Sequence, residues 1–172
     1  MDKETPARMP ANTLAFIALA NEYCALLENC SDIGRQDFER SLRRLLPRIY
    51  ISADDLRVSA DDSFGYDDGY IAQALDEAHY ETVRQNVETL MGEDDTYLDT
   101  VMEDMRYSDT PVAASISEQC ADIFQPLFNF VEAVRDTTDD VVDDAVRAVA
   151  DDFDHWLSAT ICNLLRAVNA LR

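Results

Sequence analysis

The stretch TTDDVVDDAVRAVADDFDHWLSATICNLLRAVNAL, residues 137–171, decides the fold. Its apolar residues recur at helical spacing, it opens on aspartates and it closes on apolar turns. Thr137 and Thr138 are placed to cap it, and Asp139 and Asp140 stand at the positive end of its dipole. Projected at about 100° per residue, Val142, Ala145, Val149, Phe153, Trp156, Thr160, Leu164 and Leu171 fall on one side. Asp144, Asp151, His155 and Cys162 fall nearly opposite. As one unbroken helix the stretch spans roughly 50 Å at about 1.5 Å per residue. That exceeds the width of a compact domain of this length, so the helix must pack against more than one partner. Trp156, the only tryptophan, reads with Phe153 as a core anchor.

The rest of the chain reads as helices that could flank this one. Ser115-Ile116-Ser117-Glu118 has the spacing of a capping box. The helix it starts reaches Arg135, with Ile116, Cys120, Ile123, Phe124, Leu127, Val131 and Val134 on its buried side, and Pro126 predicts a kink. Asp76 caps a helix that Gly92 stops after Met91, with Tyr80, Val83, Val87, Leu90 and Met91 on one face. Tyr70 to Leu75 reads as a short helical lead-in to it. Glu93-Asp94-Asp95 begins a short helix carrying Tyr97, Leu98, Val101, Met102 and Met105, and Arg106 to Ala114 is a loop around Pro111.

Upstream, residues 35–50 form an amphipathic helix. Phe38, Leu42, Leu45, Leu46 and Ile49 line one face and Arg40, Arg43, Arg44 and Arg48 the other; Pro47 should kink it or end it early. Asn12 can cap a first helix running to about Cys30. Residues 1–11, with Pro6 and Pro10, read as a loose arm. No alternating strand pattern of useful length occurs. The expectation is an all-α bundle of five to six helices with a long C-terminal helix, one domain over residues 12–172.

The 172 residues suit one domain able to bury a real core. The N-terminus has no basic start and no apolar signal core, and no apolar run is long enough for a membrane span. A cytoplasmic protein is expected, with the four cysteines (24, 30, 120 and 162) as reduced thiols acting as small buried hydrophobes.

The formal charge is −21, from 35 acids and 14 bases. Such a charge repels bare nucleic acid and anionic membrane and attracts basic proteins and cations. The bland explanation is an acidic host-wide composition. The charge is uneven: residues 31–60 hold 6 bases and 5 acids, whereas residues 61–110 hold 2 bases and 15 acids. The Asp-rich run over 59–69, with Asp61, Asp62, Asp67 and Asp68, has the look of a calcium loop. Counting five residues back from Gly65 or Gly69 gives Ala60 or Phe64 rather than Asp, which excludes an ordinary EF-hand.

Several short motifs occur in order: Ala20-x-Glu22-Tyr23-Cys24-x-Leu26-Leu27-Glu28, Leu45-Leu46-Pro47-Arg48-Ile49-Tyr50, Met91-Gly92-Glu93-Asp94-Asp95-x-Tyr97, Ala121-Asp122-Ile123-Phe124, and His155-Trp156 followed by Leu165-Arg166-Ala167. Together they resemble a small bacterial family known only as a domain of unknown function, number five thousand and sixty-three in that series. The resemblance runs from about residue 14 to the end. It implies an all-helical fold, no established activity and no assigned site residues. Where that family often has a second histidine one turn after the His-Trp pair, this chain has Ala159, which weakens any metal role for the pair.

The chemistry-bearing constellations are few. Asp151 and His155 are four residues apart and can meet on one helix face. With Cys162 two turns on they suggest a catalytic trio, but seven residues of helix separate thiol from imidazole by roughly 10 Å. Asp139, Asp140, Asp143 and Asp144 form two i,i+4 acid pairs that a divalent ion could bridge with help from another helix. The weak metal candidates are thus Asp140, Asp144, Asp151 and His155. No phosphate-binding glycine loop, nucleophile elbow or zinc spacing is present, and no cofactor is expected. Arg40, Arg43, Arg44 and Arg48, with the Asp61–Asp68 acids, are the interaction-surface candidates. The leading functional expectation is a non-enzymatic module presenting an acidic surface (61–110 and the start of the last helix) to a basic protein partner. The alternatives are a nucleic-acid mimic binding a basic protein, and a metal-dependent or small-ligand-binding helical protein.

Overall fold

The computed structural model describes residues 9–56, 71–99 and 110–171. The fold is an all-α bundle with one small β-hairpin. In chain order come α1 (Ala11–Glu28), a 3-10 turn (Cys30–Asp32), α2 (Arg35–Asp54), α3 (Glu77–Met91), a second 3-10 turn (Gly92–Asp95), β1 (Thr96–Asp99), β2 (Val112–Ser115), α4 (Ile116–Val134), α5 (Asp139–Asp152), a π-helical turn (Phe153–Leu157) and α6 (Ser158–Ala170). Residues 139–170 are helical without a break. No helix among the described residues is long and apolar enough to cross a membrane.

Helix α4 lies at the centre. It packs against α1, α3, α5 and α6, while α2 closes the bundle by packing on α1, α5 and α6. Its buried residues include Ile116, Cys120, Ala121, Ile123, Phe124, Leu127, Phe130 and Val131, covering roughly 200° of its circumference at 100° per residue. Its buried N-terminus is capped twice. Ser115 Oγ accepts from the Glu118 N–H at 3.2 Å, the first half of the expected capping box. The buried Asp95 carboxylate accepts from both the backbone N–H and the hydroxyl of Ser117, each at 2.7 Å. Further along, the buried Tyr23 hydroxyl donates to the Cys120 carbonyl at 2.9 Å and ties α1 to α4.

Several sequence expectations need correction. Asn12 does not cap α1: Pro10 holds the cap position, and Asn12 Nδ2 donates to the Ser52 carbonyl at 3.1 Å, joining the start of α1 to the end of α2. Pro47 does not end α2, which continues to Asp54. The helix keeps its course because Leu45, Leu46, Ile49 and Ala53 are buried on both sides of the proline and outweigh one lost backbone bond. Residues 71–76 form no helix. Asn129 Oδ1 accepts the N–H groups of Ala74 and Leu75, both at 2.9 Å, so those donors serve α4 rather than a helical turn. The short helix expected after Glu93 is instead the 3-10 turn and β1, paired antiparallel with β2 so that Leu98 faces Ala113. Four-residue strands carry no period of their own, and cross-strand pairing supplies what the local sequence lacks. Val101, Met102 and Met105 lie outside the described residues.

The largest correction concerns the last helix. At the π-helical turn the Ser158 N–H bonds the Phe153 carbonyl, five residues back. Such a turn inserts one residue, which rotates everything downstream by about 100°. The buried face accordingly runs Val142, Ala145, Val149 and Phe153 before the turn, then Leu157, Ile161, Leu164 and Val168 after it. Phe153 is a core anchor as expected, edge-on to Tyr50 of α2 at 5.0 Å. Trp156 is not: it is rotated out and 37% exposed. Cys24, Cys30 and Cys120 are buried as expected, but Cys162, on the outer face of the last helix, is exposed; burial pushes the Cys24 thiol up to about 12.

Two stability measurements follow. Leu157→Ala should cost about 2–5 kcal/mol by urea denaturation and Trp156→Ala clearly less; the reverse order would mean that the helix runs on without the inserted residue. Asp95→Ala strands two buried donors of Ser117 and should cost about 1–3 kcal/mol, with Asp95→Asn recovering part of the loss.

Candidate functional site

Opposite its apolar side, α4 carries a polar stripe at helical spacing: Glu118, Asp122, Gln125 and Asn129. Two of these residues hold neighbours in place. Asp122 accepts from the Tyr80 hydroxyl of α3 at 2.7 Å, and Asn129 takes the two N–H groups of the 71–76 segment. Gln125 and Asn129 then form one wall of a cleft of about 430 Å³. The π-helical turn and the end of α5 form the facing wall, with Asp151, Asp152 and Trp156, and Gln73 closes one end. Ile71, Pro126 and Ala148 supply its apolar surface.

The inserted residue builds this wall. By rotating Trp156 out of the core, it brings the indole beside Asp152, whose Oδ1 accepts from the indole Nε1–H at 3.0 Å. That bond orients the ring in the lining of the cleft. One residue back, His155 Nδ1 lies 2.8 Å from the Asp151 carbonyl oxygen and 3.3 Å from its carboxylate. Hydrogen bonding to that carbonyl, followed by attraction to the Asp151 carboxylate, raises the His155 imidazole above its usual range. The cleft therefore offers one aromatic face, two carboxylates and three side-chain amides. That is a cation-binding composition with no nucleophile and base in contact.

The other sequence candidates separate. Asp151 and His155 meet as expected, but as a solvent-exposed pair. Cys162, Asp140 and Asp144 do not join them: Asp140 is exposed, and Asp144 is 3.5 Å from Arg147 of its own helix. Among the described residues no three His, Cys, Asp or Glu side chains gather to hold a metal ion. The arginine face of α2 is split. Arg40, Arg44 and Arg48 are exposed, with Arg48 3.4 Å from Glu22. Arg43 is not on the solvent face: its side chain is 16% exposed and donates to the Val168 carbonyl at 3.2 Å, capping the C-terminus of α6. Asp61, Asp62, Asp67 and Asp68 lie outside the described residues. Sequence reasoning missed Gln125 and Asn129; their i,i+4 spacing on the side of α4 opposite its apolar face was the available signal.

His79 of α3 lies 3.3 Å from Glu28 and packs edge-on against Phe128 at 5.0 Å. The acids of the described part of 61–110 are mostly used inside the protein. Arg84 bridges Glu81 and Glu88, and its hydrogen bonds hold Glu81 down to about 2. Arg35 binds Asp94 at 2.6 Å, and the buried Asp99 lies 3.4 Å from Arg166, which also sits over the Tyr97 ring.

The sequence matches the family model described as Domain of unknown function (DUF5063) over residues 7–172. Among solved structures the chain is similar to the crystal structure of protein BF1032 from Bacteroides fragilis, with a TM-score of 0.78 at 23% sequence identity, covering 94% of this chain and 92% of that one. At that identity the likeness establishes the fold. A search of the curated proteins finds no match. With the family match running from residue 7 to the last residue, over the motifs that α1 to α6 bring together, the chain belongs to the DUF5063 family.

Proposed function

We propose that this protein is a non-enzymatic interaction module that presents an acidic ridge to a basic protein partner. The observation that supports this reading is the contrast between its two acidic regions. The described acids of 71–99 are largely neutralised by Arg35, Arg84 and Arg166 or bonded inside. Residues 139–154 instead hold seven acids against one base, Arg147. Of these, Asp140, Asp143, Asp144, Asp151 and Asp154 are exposed. Only Arg147, beside Asp144, and His155, beside Asp151, offset this charge; the excess carboxylates in water keep their attraction for a partner's cations, and a row of them along one helix concentrates that field.

Calorimetric titration with an oligolysine peptide at rising salt tests the reading. Binding should weaken steadily with salt. The triple variant Asp140→Asn, Asp143→Asn, Asp144→Asn should weaken it about tenfold, roughly 1.4 kcal/mol. A control triple variant of exposed acids elsewhere, Asp37→Asn, Glu77→Gln, Glu93→Gln, removes the same charge and should have a smaller effect. Equal losses would make net charge, not the ridge, the cause and would overturn the proposal.

The ridge carries one group that titrates near neutrality. His155 has a folded value raised by Asp151, so its contribution to stability is fully present below its unfolded value and is lost as pH rises through the folded one. Proton NMR should find His155 titrating above 6.5, with Asp151→Asn lowering it; a value at or below 6.5 in the wild type would contradict the Asp151–His155 geometry.

A further inference from the structure

We infer that the cleft at the π-helical turn is a binding subsite for a guanidinium group, an arginine side chain of the basic partner stacked on Trp156 and held by Asp152 and Asp151. The inference rests on the acidic-ridge reading and names the chemistry that its partner must bring.

The cleft differs from the rest of the ridge in three respects. It is concave, with about 430 Å³ of space, and the ridge carboxylates Asp140, Asp143, Asp144 and Asp154 do not line it. It contains the large exposed aromatic side chain of the last helix, oriented by its bond to Asp152. It also contains apolar surface, from Ile71, Pro126 and Ala148, against which an aliphatic stem can lie.

Each candidate ligand class meets this lining differently. An anion meets two carboxylates and is repelled. A divalent ion finds two carboxylates, one already engaged with the indole and the other with His155, and no third donor of that kind among the described residues. A cation is attracted by both carboxylates and by the ring face. Between the two cationic side chains the geometry favours arginine. Its planar guanidinium stacks on an indole while its forked N–H groups reach two acceptors at once; an ammonium does one or the other. The Asp152 carboxylate has a second oxygen beside the one that accepts from Trp156. The amides of Gln73 and Gln125 add acceptors to the lining.

Trp156 is the only tryptophan, so emission excited selectively at tryptophan, beyond the absorption of the tyrosines, reports on this cleft. The test titrates the full chain with hexa-arginine, hexa-lysine and hexa-citrulline, following Trp156 emission and, in parallel, heat. Hexa-arginine should change the emission and bind at least about fivefold more tightly than hexa-lysine, the equivalent of about 1 kcal/mol. Hexa-citrulline, neutral but of the same shape, should leave the emission unchanged. Asp152→Asn should weaken hexa-arginine binding about tenfold, while Asp154→Asn, an equal charge change one turn position outside the cleft, should not. Gln125→Ala, on the other wall, should weaken it about twofold and checks the site independently should Asp152→Asn disturb the helix. Binding of hexa-arginine by heat with no response from Trp156, or equal losses in Asp152→Asn and Asp154→Asn, would overturn the cleft and leave the ridge standing. Hexa-lysine equal to hexa-arginine would overturn the guanidinium assignment. No binding of either peptide would overturn both readings.

Discussion

Everything in this fold depends on burying one helix from more than one side. The apolar surface of α4 covers too much of its circumference for a single partner, so α1, α3, α5 and α6 must all lie against it. A helix so enclosed cannot leave its first N–H groups to water. Asp95 and Ser115 therefore supply oxygens at its start, and Asp95 is delivered by the 3-10 turn that Gly92, at a φ of 59°, makes possible. The same enclosure confines the polar chemistry of α4 to the strip left over, Glu118 to Asn129. Within that strip Asp122 holds α3, and Asn129, at its far end, holds the 71–76 segment and with Gln125 lines the cleft. The place of the cleft thus follows from the packing of the core.

The sequence was informative wherever a local signal and the tertiary demand agreed. The caps of α3 and α4, the stop at Gly92 and the apolar face of α2 were readable because each is set within one or two helical turns. The hairpin was not readable. Thr96–Asp99 and Val112–Ser115 are far apart in the chain, and the acidic run before β1 looks like a helix start. Arg43 was misplaced for a similar reason: helical projection puts it outside, but a long side chain can turn along the helix to reach a carbonyl of α6. The π-helical turn did leave a trace. Val149, Phe153, Leu157 and Ile161 are spaced four, four and four, a longer step than a straight α-helix keeps on one face, and that run marks the inserted residue.

Arginine outnumbers lysine thirteen to one, and the described contacts show what that preference does. Arg35 joins Glu39, the Met91 carbonyl and Asp94; Arg84 joins Glu81 and Glu88; Arg166 joins Asp99 and the Tyr97 ring. A forked, always-charged group can satisfy several acceptors in different elements, which one ammonium does less well. In a chain with this excess of acid, Arg35 and Arg166 reach the buried Glu39 and Asp99, and Arg84 serves the more exposed Glu81 and Glu88. The ridge on the last helix is left with Arg147 alone, and its field is a consequence of that allocation.

The inserted residue at Phe153–Leu157 links these themes. Without it, Val149 and Phe153 would be followed on the core side by Trp156 and Thr160, a bulky indole and a hydroxyl facing α2 and α4. With it, Leu157 and Ile161 take those places, and both are essentially fully buried. The core gains two aliphatic residues free of polar atoms, and one tryptophan is exposed together with the acids that flank it. A π-helical turn gives up regular i→i−4 bonding, so it persists only where packing on both sides selects it. Here Phe153 against Tyr50 fixes the register before the turn, and Ile161 and Leu164 against the bundle fix it after. The orientation of Trp156 at the cleft is therefore determined by core contacts that lie outside the cleft itself.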